Sequence, residues 1–140
     1  PCRRTIKSRQ PADAIVLNDE SSAFVKSRIP SQVEHLEPKL WNSFTRITLV
    51  NTQYQERITL DIDLDYRSYD LSETLELGGV AIAEVKQVER HKDSPFVSIL
   101  RKMGQHPMSF SKYCIGTSML YPVKSNRFKP SLTAVSRIMN

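Results

Sequence analysis

The sequence predicts an α+β fold in which strands precede helices along the chain. Residues 44–50, 56–64 and 80–88 alternate apolar and polar side chains with a period of two, the pattern of half-buried strands. Residues 94–103, 111–120 and 130–139 read instead as helices, two of them with a proline in the first turn, Pro95 and Pro130. The size fits one domain: the chain has 140 residues, 39% of them hydrophobic and 25% charged. That is ordinary globular composition and excludes disorder or a collagen-like fibre.

The elements follow in order. Residues 3–9 read as a short leading strand, closed by Pro11. Asp19 opens a short helix over 19–29, which Pro30 ends. Ser31, with Glu34 at the capping-box position, opens a second helical piece over 31–37. Residues 51–55 are a hairpin-length link between the first two period-two runs. The polar connection 66–79 carries a short strand at 74–77, and Gly104 stops the helix that starts at Ser94.

Several functions are excluded on residue types. The longest uncharged stretch, 113–123, is broken by Gly116 and Pro122 and falls short of the ~20 apolar residues of a membrane helix. No secretory presequence opens the chain. Cys2 and Cys114 are too few for a disulfide framework; two free thiols in a reducing compartment, or one bridge, remain open. His35, His91 and His106 show no metal-ligand spacing, so zinc hydrolase chemistry has no support. With four glycines and no Walker or G-x-G-x-x-G motif, any bound phosphate must be held by side chains.

Residues two apart on a strand share a face. Thr45, Ile47 and Leu49 therefore oppose Phe44, Arg46 and Thr48. On the partner strand Ile58, Leu60, Ile62 and Leu64 oppose Arg57, Thr59, Asp61 and Asp63. On the third, Ala83 and Val85 oppose Ile82, Glu84 and Lys86, and the leading strand sets Lys7 and Arg9 against Ile6. Two readings fit. The charged face simply meets water, or it binds a polyanion, because Arg46 and Arg57 on pairing strands would crowd like charges unless an anion sat between them. The planar guanidinium fork matches phosphate oxygens, and an acid beside it, Glu84, suits a phosphate-linked Mg²⁺ or Mn²⁺.

Ser43-Phe44-Thr45-Arg46, Glu56-Arg57-Ile58-Thr59-Leu60-Asp61, Ala83-Glu84-Val85-Lys86 and Ser109-Phe110-Ser111-Lys112-Tyr113, in this order, resemble the VTC domain. This is the polyphosphate polymerase domain of the CYTH-like triphosphate tunnel metalloenzymes. The resemblance implies an antiparallel β-tunnel, here a half-barrel with helices packed outside and at the C-terminus. It implies that Lys7, Arg9, Arg46, Arg57, Lys86, Ser111 and Lys112 contact phosphate, with Arg46, Arg57 and Lys112 serving transfer and Glu84 binding the metal. Ser111 also reads as a plain helix N-cap, and Glu84 as a salt-bridge partner. Phe44 stands where a tyrosine is expected, which removes a phenol hydroxyl.

Such tunnels have about eight strands, whereas this sequence supplies four or five and no E-x-E-x-K strand. We therefore expect residues 1–140 to be the carboxy-terminal half of a single tunnel domain, completed by an amino-terminal half or another copy. The implied reaction passes the γ-phosphate of ATP to polyphosphate with Mn²⁺ or Mg²⁺, in the cytoplasm or at a membrane reached through other parts of the protein. A tunnel tripolyphosphatase and a non-catalytic polyphosphate or inositol phosphate binder are the alternatives. Nucleic acid is disfavoured, because Phe44, Tyr54, Tyr66 and Tyr69 do not share a strand face as stacking platforms would.

Overall fold

The structure, a computed structural model, describes residues 18–29, 36–88 and 94–140. The strand expected over 3–9, with Lys7 and Arg9, lies outside the described residues, as does most of the helical piece 31–37. The chain divides into two compact units, Pro1–Pro38 and Lys39–Asn140. In the first, α1 (Asp19–Lys26) starts at Asp19 as expected, and Asn18 caps it: its side chain accepts from the Ser21 amide at 2.8 Å. It ends earlier than expected, at Lys26, with Ser27 as its C-cap three residues before Pro30.

The second unit is an antiparallel, unclosed four-stranded sheet with helices, the α+β half-barrel arrangement expected. Its strands are β1 (Leu40–Asn51), β2 (Glu56–Ser68), β3 (Thr74–Leu77) and β4 (Ile82–Gln87). Central β2 pairs with β1 along one side, and with β4 and then β3 along the other. The hairpin closes tightly. Asn51 Oδ1 accepts from the amides of Gln53 (3.1 Å) and Tyr54 (3.3 Å), and Gln55 takes a positive φ of 45°.

Both hairpin strands run four residues further, away from the turn, than the alternation suggests, and β1 one further toward it; a bulge marks the extension. Ile62 opposes Thr45 and Asp65 opposes Ser43, so Phe44 alone faces both Asp63 and Leu64. Asp63 adopts φ 52°, a left-handed conformation that Asp tolerates better than bulkier residues. The extra residue shifts the phase of β2. Leu64 therefore does not share a face with Ile58, Leu60 and Ile62, as the alternation predicts. It joins Tyr66 on the face of Arg46 and Asp61.

That face carries the core. Leu64, Tyr66, Leu77, Val80 and Val135 are buried together, packed by Leu40, Phe44, Ile82, Phe110, Met119 and Leu120. Each such side chain contributes about 1.5–3 kcal/mol. The helices that complete it are α3 (Lys112–Leu120) and α4 (Lys129–Met139), preceded by α2 (Pro95–Lys102). Gly104 ends α2 with φ 71°, and the Gln105 amide reaches back to the Leu100 carbonyl at 2.8 Å, a Schellman closure. Ser94 caps α2 and donates to Glu56 Oε1 at 3.0 Å, tying the helix to the start of β2. Tyr121 Oη donates to the Lys39 carbonyl at 2.6 Å and fixes the end of α3 beside β1.

Helix α3 crosses Tyr66 closely because Gly116 has no side chain. A Cβ there would meet Tyr66 Cε1 at 2.6 Å and Leu40 Cδ2 at 2.9 Å. Gly116→Ala gains up to ~1 kcal/mol of helix propensity but overpacks a rigid ring. We expect a net destabilisation of about 1–3 kcal/mol, seen as a lower urea midpoint with an unchanged m-value.

Candidate functional site

Hairpin closure at Asn51–Glu56 fixes what stands opposite what. Across β1, β2 and β4, one face reads in three rows: Arg46–Asp61–Ile82, Thr48–Thr59–Glu84 and Val50–Arg57–Lys86. The expected crowding of Arg46 against Arg57 is therefore corrected. They share a face but stand four residues apart along β2, roughly 13 Å. The like charges directly opposed are Arg57 and Lys86. Such a pair is destabilising by itself. Lys86 is partly relieved by Glu84, whose Oε1 lies 3.2 Å from its Nζ.

Arg46 meets a carboxylate that the sequence reading left without a role. Its Nε donates to Asp61 Oδ1 at 2.6 Å and its Nη2 to Oδ2 at 2.7 Å, a bidentate pair. Lys112, the first residue of α3, brings its Nζ to the same Oδ2. Both cations also lie over the Phe44 ring, with Arg46 Cζ 5.1 Å and Lys112 Nζ 4.7 Å from its centroid. Phe44, which lacks the expected hydroxyl, thus supplies a ring face instead. The hydrogen bond from Arg46 holds the Asp61 carboxyl down at about 2 against the opposing effect of burial, and Lys112 adds to the lowering. Asp61 in turn raises Arg46 above its ordinary value.

Ser111 caps α3, its hydroxyl accepting from the Cys114 amide at 3.4 Å, so this side chain is engaged by the helix. The sheet and α3 thus bring Arg46, Arg57, Glu84, Lys86 and Lys112 to one face of the sheet. Asp61 could have been found from sequence: counting back from the hairpin closure puts it opposite Arg46.

Among the described residues no three of His, Cys, Asp and Glu converge to hold a metal. Both oxygens of Asp61 are committed to cations. The carboxylate left on this face is Glu84, its side chain 52% exposed. This donor set fits only a hard cation that takes one carboxylate and completes its shell with phosphate and water oxygens. No helix among the described residues is long and apolar enough to cross a membrane.

The family model for the VTC domain matches residues 5–121. Comparison with curated proteins and with solved structures finds no match.

The lowered Asp61 pKa sets an acid dependence. A carboxyl depressed in the fold contributes stability that is present above its unfolded pKa, near 3.8, and lost as pH falls through about 2. We expect wild type to lose about 2 kcal/mol from this group between pH 5 and pH 2. Asp70, also held at about 2 by the Ser68 and Ser72 hydroxyls, is exposed, so solvent screens its contribution, which survives in Asp61→Asn. Urea melts of both proteins at the two pH values read the difference.

Proposed function

Because the chain belongs to the VTC domain family, we propose that it contributes to phosphoryl transfer of the polyphosphate polymerase type, with ATP and polyphosphate as substrates. The family is associated with polyphosphate chemistry. The observation that carries the finer reading is the three-row face: Arg46, Arg57, Lys86 and Lys112 share it with one exposed carboxylate, Glu84.

Phosphoryl transfer through a loose, anionic transition state needs positioning and charge neutralisation more than a covalent partner. Arg57 and Lys86 bind and align the phosphate chain, their mutual repulsion relieved by the anion. Arg46 and Lys112, anchored from beneath, offer their remaining N–H groups to the transferring phosphoryl oxygens. The N-terminus of α3 adds its dipole at the same place. Glu84 would hold Mn²⁺ or Mg²⁺, which would supply further charge neutralisation at the phosphate oxygens.

Among the described residues the outer edges of β1 and of β3 and β4 have no strand partner. Further strands, from an amino-terminal half or another copy, would close the sheet into a tunnel. Because the sheet is open, we expect the 140-residue chain alone to bind polyphosphate without turnover. Incubation of the completed protein with ATP separates the reactions: a polymerase makes long chains and a tripolyphosphatase releases orthophosphate.

Arg57→Ala should weaken polyphosphate binding by about 1.5–3 kcal/mol. Its melting temperature should hold or rise slightly, because the clash with Lys86 is gone. Unchanged affinity with lower stability would make Arg57 structural. Glu84→Gln should abolish turnover in the completed protein while polyphosphate still binds. Its half-exposed pair with Lys86 accounts for no more than ~1 kcal/mol of stability. Turnover in the wild type without any divalent cation would overturn the metal assignment.

A further inference from the structure

We propose that Asp61 is the positioning residue of this face, holding Arg46 and Lys112 in the orientation in which they meet an anion. The proposal rests on the phosphate-binding reading above. The order of exposure shows the layering: the Asp61 side chain is 3% exposed, Lys112 21% and Arg46 43%. The carboxylate lies at the bottom, and the cations lie between it and solvent. A guanidinium has five N–H donors and an ammonium three. Arg46 spends Nε and Nη2 on Asp61, and Lys112 spends one donor, so each keeps donors for a ligand. The Phe44 ring supports both from the side. An anion arriving from solvent therefore meets two ordered cations and never competes for Asp61 itself.

Two effects of removing the carboxylate oppose each other. Loss of one negative charge about 7 Å from the anion strengthens binding by about threefold, because salt and surface water screen the exposed anion. Release of two long side chains weakens it by about thirtyfold, the ordering of two rotamer-rich groups. Positioning wins, and the net expectation is about tenfold weaker binding in Asp61→Asn.

The test uses the 140-residue chain, with inorganic tripolyphosphate as the probe, and two readouts. One is affinity by titration calorimetry. The other is hydrogen exchange of the Arg46 Nε–H by NMR, which reports the hold of Asp61 without any ligand. The expected result is faster Arg46 exchange in Asp61→Asn and about tenfold weaker binding, with the loss greatly reduced in an Arg46→Gln background. Should Asp61→Asn not fold, Asp61→Glu keeps the charge and displaces it by one methylene, and should shift both readouts in the same direction. Equal or tighter tripolyphosphate binding in Asp61→Asn overturns the proposal, as does an equal loss with and without Arg46. A wild type that fails to bind tripolyphosphate overturns the function proposed above. The exchange rate then decides on Asp61 alone, and an unchanged rate overturns its role.

Discussion

A carboxylate taken out of water must be neutralised and hydrogen-bonded where it sits, or the fold loses several kcal/mol. Asp61 is buried at the centre of the longest strand and meets this requirement with two cations from different parts of the chain. Arg46 comes from the neighbouring strand and Lys112 from a helix some fifty residues later in sequence. Satisfying one carboxylate thus supports the β1–β2 register, places the start of α3 on the sheet and points two cations outward. Stability and the candidate chemistry depend on the same ion pair.

The bulge at Asp63 is the second constraint. With strict alternation, the face of Arg46 and Asp61 would continue as a polar surface along the whole hairpin. The extra residue turns Leu64 and Tyr66 onto that face, where α3 and α4 cover them. One side of the sheet is therefore divided along its length, a packed core at one end and an open charged surface at the other. Gly116 allows α3 to cross Tyr66 closely enough to carry Lys112 to Asp61. The core and the site meet at that helix.

Much of this was legible in the sequence. Period-two runs place β1, β2 and β4, and the capping residues Ser94 and Ser111 with Pro130 place the C-terminal helices to within about two residues. Alternation puts Arg46, Arg57, Glu84 and Lys86 on one face, as the structure does, because each lies on the hairpin side of the bulge. Alternation puts Leu64 on the opposite face because a bulge leaves no mark in hydrophobic periodicity, and an Asp at positive φ looks like any other polar position. The charge pairing failed for a different reason. Face assignments say which residues lie together on one side, but register says which ones touch. The tight hairpin at 52–55 contained that register, and counting from it turns the supposed Arg46–Arg57 repulsion into an Arg46–Asp61 attraction and an Arg57–Lys86 opposition. Lys112 follows from the family resemblance, and its contact with Asp61 is tertiary, beyond any local pattern.

Whether the three rows form one anion-binding surface decides between a phosphate site and a merely solvated face. A crystal structure of the chain with inorganic tripolyphosphate tests this most directly. The phosphate chain is expected along the rows, bonded to Arg57 and Lys86 at one end and to Arg46 and Lys112 at the other, with Asp61 still beneath the last two. Tripolyphosphate bound away from this face, with Arg57 and Lys86 left facing solvent, would contradict it.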